Sequence, residues 1–219
     1  MHKTEATVWS ELFQMQRDLN TLTFTKSVPS GKALSNLLWK TNKPPAKIFS
    51  LLEHWILQFS RAAWHEVHEA ELLIQMRVSI HDEDEKAWLA EEIIDILHFT
   101  TSMCILSGIS HQEIEQQIEN LDKMDPELKE AMLTEHLYDQ AFEIRDALIK
   151  TERALNWKWW SKRKEVDKNL LKKDILHANM ATIYLLMSLG ITQEGILENY
   201  KSKHAINVLR QQTGYTAGI

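Results

Sequence analysis

Arg61 to Gly108 reads RAAWHEVHEAELLIQMRVSIHDEDEKAWLAEEIIDILHFTTSMCILSG. Leading into it and through it, Leu51, Leu52, Trp55, Ile56, Phe59, Ala62, Ala63, Val67, Ala70 and Leu73 recur at helical spacing, which predicts a helix over 48–78. His81-Asp82-Glu83-Asp84-Glu85 then makes a polar turn and an acidic start for a second helix over 84–107, which Gly108 ends. Each helix carries an acidic pair, Glu66-x-x-Glu69 and Glu92-x-x-Asp95. Residues three apart project from one helix face, so two such helices packed together would converge four carboxylates. Converging carboxylates repel and resist desolvation unless a cation lies among them. Hard oxygen ligands without thiolate suit Mg²⁺ or Mn²⁺. The alternative is a pair of solvated helix faces. Against it, Glu92 and Asp95 sit in the run Ile93-Ile94-Asp95-Ile96-Leu97-His98-Phe99, at the edge of a core where charge needs a reason.

Composition points the same way. Six glycines and four prolines in 219 residues are few, which favours helix over a turn-rich β fold. The expected architecture is an all-α bundle forming a single domain over 1–219. A net charge of −6 argues against a general nucleic-acid binder but leaves room for a nucleotide site with local cations. One cysteine, Cys104, excludes an intrachain disulfide framework and fits a reducing, cytoplasmic setting. The first residues lead into no apolar signal core, and no window of about 18 uninterrupted apolar residues occurs, so no membrane span is expected.

Outward from the central stretch, residues 5–24 form an amphipathic pattern with Val8, Leu12, Phe13, Met15 and Leu19 on one side. Pro29, Gly31, Pro44 and Pro45 mark a loop region over 25–47 around a short helix near Leu34–Trp39. Ser110 and Glu113 match a capping box for a helix to Leu121. After Asp125-Pro126, one long helix is expected over 127–155, a second over 166–189, and a last one, capped by Thr192, to about Gln212. Shifting 85–114 by 82 superposes Lys86, Leu89, Ile93, Thr100, Gly108, Ile109 and Ile114 on Lys168, Leu171, Ile175, Thr182, Gly190, Ile191 and Ile196. This predicts a pseudo-twofold duplication. Glu92 and Asp95 then fall on Asp174 and His177, and no clear E-x-x-E precedes them. The metal site is therefore expected in the half 48–121 and a degenerate copy in 127–215.

The last helix carries Tyr200-x-x-Lys203-x-x-x-Asn207-x-x-Arg210-Gln211-x-x-Gly214-Tyr215. Lys203, Asn207 and Arg210 share one face, either as a phosphate cradle or as a solvated basic face. Gly214 permits a tight turn that would bring Tyr215 over a ligand.

Three motifs give the chain a family likeness. They are Glu66-x-x-Glu69 followed by Glu92-Ile93-Ile94-Asp95-Ile96-Leu97-His98-Phe99, the tail from Tyr200 to Tyr215, and Gln16-x-x-Leu19-Asn20. Together they resemble the all-α dUTPases of the MazG-like nucleoside triphosphate pyrophosphohydrolase superfamily and the related phage dCTP/dUTP pyrophosphatases. The resemblance implies a dimeric, metal-dependent enzyme that hydrolyses dUTP to dUMP and pyrophosphate, with dCTP or a broader dNTP set as the alternative. It implies Mg²⁺ held by Glu66, Glu69, Glu92 and Asp95, with Glu69 as catalytic base. It further implies phosphates held by Lys203, Asn207, Arg210 and Tyr215, and the nucleoside contacted by Gln16 and Asn20. One departure is that Trp157-Lys158-Trp159-Trp160 stands in the second half, where the family places such a cluster soon after E-x-x-E. A non-catalytic helical binding protein is the alternative from another class.

Two near-motifs are set aside. His65-Glu66-Val67-His68-Glu69 lacks the second zincin histidine, and Asp95-x-x-His98 has no second copy to make a di-iron site. His98 is expected to be a hydrogen-bonded residue at the core edge that supports Asp95, and Cys104 inert packing.

Overall fold

Helix ends lie where capping chemistry puts them. The Asp82 carboxylate accepts from the N–H groups of Asp84 and Glu85 at 3.0 and 3.2 Å. Gly108 closes the same helix with φ 77°. That is the left-handed conformation in which a side chain is strained, and the Lys172 ammonium donates to the Gly108 carbonyl at 3.1 Å. Ser110 and Glu113 complete the expected capping box, with Ser110 N–H donating to Glu113 Oε2 at 2.7 Å. The Thr192 hydroxyl accepts from the N–H of Gly195 at 3.1 Å and so caps the last helix.

The structure, a computed structural model, describes residues 6–27, 46–76, 82–133, 136–155 and 166–213. Among these there are eight helices and no strand. They are α1 (Val8–Ser27), α2 (Ala46–Gln75), α3 (Glu83–Ser107), α4 (His111–Asp122), α5 (Pro126–Leu133), α6 (Leu137–Ala154), α7 (Lys168–Ser188) and α8 (Gln193–Thr213). The all-α bundle expected from sequence is the fold. The short helix near Leu34–Trp39, the Trp157–Trp160 cluster, Gly214 and Tyr215 lie outside the described residues.

Helix α3 is the hub, in contact with α2, α7, α1 and α8. Its apolar residues surround the whole helix, and Ile93, Ile96, Leu97, Met103 and Cys104 are fully buried. Burial of this kind contributes roughly 1.5–3 kcal/mol per large side chain. Burial also drives the Cys104 thiol well above its usual pKa, so it stays protonated packing, as expected. Two of the hub's buried hydroxyls are satisfied from the neighbouring helix. Asn179 on α7 donates to Thr100 and Thr101 on α3 at 3.1 and 3.2 Å. On α2, Ala63, Val67 and Ala70 are fully buried. Helix α2 packs on both α3 and α6.

One expectation fails. The single helix over 127–155 is two helices, α5 and α6. Asp125 caps α5, its carboxylate accepting from Glu127 N–H at 3.0 Å, and His136 caps α6 through Nδ1 and the Tyr138 N–H at 3.3 Å. The physical reason is unequal burial. No residue of α5 is buried, whereas α6 buries Gln140, Ala141, Ile144, Ala147, Leu148 and Thr151 against the bundle. A straight continuation could not serve both environments. No single helix among the described residues is long and apolar enough to cross a membrane.

Candidate metal centre and nucleotide pocket

Close packing of α2 on α3 brings the acids together. Carboxylate oxygens of Glu66, Glu69 and Glu92 all lie within 4.8 Å of one another. Glu66 and Glu92 are half-buried and Glu69 is exposed. Burial, then the charges of Asp95, Glu69 and Glu92, push the Glu66 pKa up from 4.5 to about 7. Burial and the neighbouring Glu69 and Asp95 raise Glu92 as well. A set of oxygen donors that repel one another and hold protons is the chemistry a hard divalent cation relieves. The residues present therefore fit such an ion.

Asp95 is the fourth acid and is held differently. The Lys203 ammonium lies 2.7 Å from Asp95 Oδ2 and 2.9 Å from Glu91 Oε1. Burial works against the charged Lys203, but the bonds to Asp95 and Glu91 more than offset it and raise its pKa. Burial raises Asp95 too, with Lys203 and Arg210 opposing. The expected phosphate lysine thus reaches from α8 to Asp95, one of the four expected ligands, and to Glu91 beside the acid pair. Glu91, the other arm of this contact, is a residue sequence reading did not single out. Its place next to the motif Glu92 was the available signal.

Gln16 and Asn20, four apart on α1, are both buried. The Tyr200 hydroxyl donates to Gln16 Oε1, and His98 Nδ1 lies 2.8 Å from the same oxygen. Gln16 Nε2 donates to Asn20 Oδ1 at 2.9 Å and to Ser102 Oγ at 2.7 Å. His98 stacks on the Tyr200 ring with centroids 3.8 Å apart. This corrects the expected role of His98: it is a buried partner of Gln16, not a support for Asp95. Burial first, then the charges of His204 and Lys203, lower its pKa to about 3, with the Tyr200 backbone opposing, so it is neutral. Sequence reading also missed Ser102, although it stands one helical turn after His98, where a shared partner is in reach.

Some of these groups line one cavity of about 330 Å³, whereas Glu69, Glu92 and Lys203 are not among its lining residues. Its lining includes Glu66 and Asp95, the α1–α3 group Gln16, Asn20, His98 and Ser102, and Asn207 and Arg210 from α8. Phe59 and Phe99 supply apolar wall. By contrast, His65 and His68 are exposed, with His65 Nε2 at 3.7 Å from Glu69 and His68 stacked on Trp64.

The second half holds a different arrangement. Glu143-x-x-Asp146 on α6 faces Asp174 and His177 on α7, an acidic pair that sequence reading did not identify. Here Glu143 lies 3.4 Å from His177, and Asp146 lies 2.5 Å from Lys150. Burial raises the Asp174 pKa, and the lysines Lys150 and Lys173 oppose it.

No curated protein and no solved structure matches the chain. The family model described as dUTPase matches residues 8–215, a span that includes all three motifs and every helix of the bundle. On that match the chain belongs to the all-α dUTPase family, whose enzymes hydrolyse dUTP.

Proposed function

We propose that this cavity is the active site and that it hydrolyses dUTP to dUMP and pyrophosphate with Mg²⁺, or Mn²⁺ in its place. The observation that carries the reading is the shared cavity, in which acids, buried amides and the α8 face come from segments far apart in sequence. Glu66, Glu69, Glu92 and Asp95 would hold the metal. When bound there, the ion would offset triphosphate charge and acidify the attacking water.

The chain's own residues do the rest. Lys203, Asn207, Arg210 and Tyr215 bind the phosphates, Arg210 as a planar two-donor fork and Lys203 as a point charge. Gln16 and Asn20 contact the nucleoside. Glu69, the exposed member of the acid cluster, accepts a proton from water at its carboxylate oxygen. Water oxygen bonds to the α-phosphorus, and the bond from that phosphorus to the bridging oxygen breaks, with pyrophosphate as leaving group. The catalytic unit is the whole chain, with 48–121 as the metal-binding half and 127–215 as a degenerate half that lends its last helix. Two copies assemble as a homodimer.

Pyrophosphate release from dUTP, dCTP, dTTP and dATP, each with Mg²⁺ and with EDTA, tests this. Metal-dependent turnover with dUTP as best substrate is expected. Turnover that survives EDTA, or none with any of the four, would refute it.

A further inference from the structure

An amide side chain has a donor end and an acceptor end of nearly equal shape, so position alone does not say which one a ligand meets. In the network behind the cavity, one residue decides. Tyr200 is fully buried, and its hydroxyl has Gln16 Oε1 as acceptor. A buried O–H left without an acceptor is costly, so the oxygen end of Gln16 must face Tyr200. His98 Nδ1, 2.8 Å from that oxygen, must then carry its ring proton.

The consequence passes along α1. Gln16 Nε2 points at Asn20 and Ser102, so the atom of Asn20 that meets it at 2.9 Å is an oxygen. Ser102 Oγ lies 3.0 Å from the same Asn20 oxygen. This leaves Asn20 Nδ2 buried with no protein partner, in a residue that lines the cavity. His98 Nε2, the unprotonated ring nitrogen, is likewise buried without a partner. Two residues of the wall therefore hold one unsatisfied donor and one unsatisfied acceptor, both buried.

Uracil carries an acceptor at O4 and a donor at N3; cytosine carries a donor at N4 and an acceptor at N3. If both amides turned over and the His98 proton moved to Nε2, Gln16 would still bond Asn20, but the wall would present an acceptor and a donor instead. The Tyr200 hydroxyl, which needs an oxygen, separates the two arrangements at Gln16. We infer that Tyr200 is a positioning residue that, through Gln16, fixes Asn20 as a donor toward the base, and so selects a 4-oxo over a 4-amino pyrimidine nucleotide. This rests on the reading of Gln16 and Asn20 as nucleoside contacts.

The test is the ratio of kcat/KM for dUTP to that for dCTP, measured on the full chain with Mg²⁺. The wild type should favour dUTP. Tyr200→Phe should lower the ratio by about tenfold or more, with dCTP turnover held or raised. A mere packing defect would depress both substrates and leave the ratio. Asn20→Asp, which replaces the donor by acceptors, should move the ratio the same way and carries the test if Tyr200→Phe does not fold. A ratio unchanged in Asn20→Asp, or in a folded Tyr200→Phe, would overturn the inference while leaving the dUTPase reading intact. A wild type that favours dCTP would overturn it too, and one inert on every nucleotide would instead sink the function it rests on.

Discussion

Replacing Glu66 with Gln keeps the side chain's size and removes one charge from the acid cluster. The folded protein holds the Glu66 proton up to about pH 7, against 4.5 for a free carboxyl. Because the native state binds the proton more tightly, the group costs nothing below pH 4.5. The cost grows as pH rises from there toward 7 and is constant above. Taken at face value the gap corresponds to about 3 kcal/mol. Glu66 is only half-buried, so solvent screening reduces this to ~1–2 kcal/mol. In EDTA at pH 8, Glu66→Gln should therefore be more stable than wild type, with Tm higher by roughly 2–8 °C for a chain of this size. At pH 4 the two should melt together. Added Mg²⁺ should raise the wild-type Tm and move the variant much less, because the ion relieves a repulsion the variant lacks. Differential scanning fluorimetry over pH, with EDTA and with Mg²⁺, reads all of this. A variant no more stable than wild type at pH 8 in EDTA would refute the picture of Glu66 as a destabilised member of a metal-ready cluster.

Arg210→Lys should lower kcat/KM for dUTP by about ten- to a hundredfold, since the charge remains but the fork is lost; near-wild-type kinetics would remove Arg210 from the phosphate face. Lys203→Met leaves Asp95 and Glu91 without their shared cation. Turnover should fall strongly, and steady-state kinetics with unchanged kcat and KM would argue that the contact is only structural. Asp174→Asn and His177→Ala should shift stability modestly and keep metal-dependent turnover, because the acids proposed to hold the ion lie in the other half, on α2 and α3. Calorimetry that shows a metal site removed by Asp174→Asn together with activity would mean the second half works as well.

Much of the fold is local chemistry, and local chemistry is legible. Asp82, Gly108, Ser110 with Glu113, and Thr192 marked helix ends because each satisfies backbone groups within a few residues of itself. The acid pairs were legible for the same reason, since helical period alone puts Glu66 with Glu69 and Glu92 with Asp95. The break between α5 and α6 was not legible. It follows from how far each segment is buried by distant helices, and no signal within 127–155 records that. Glu143-x-x-Asp146 went unread because its meaning depends on α7 lying opposite.

The sequence by itself determined which side chains share a helix face, and through the family motifs which faces carry chemistry. Tertiary structure alone decided which faces meet. Gln16 and Tyr200 are 184 positions apart, yet they share a hydrogen bond in the core. Lys203 crosses from α8 to Asp95 on α3, 108 positions earlier, at 2.7 Å. Helical period propagates only along one helix. Partner choice between helices is set by the burial of complementary apolar surfaces across the whole chain, and the packing of α2 on α3 is what lets the carboxylates converge.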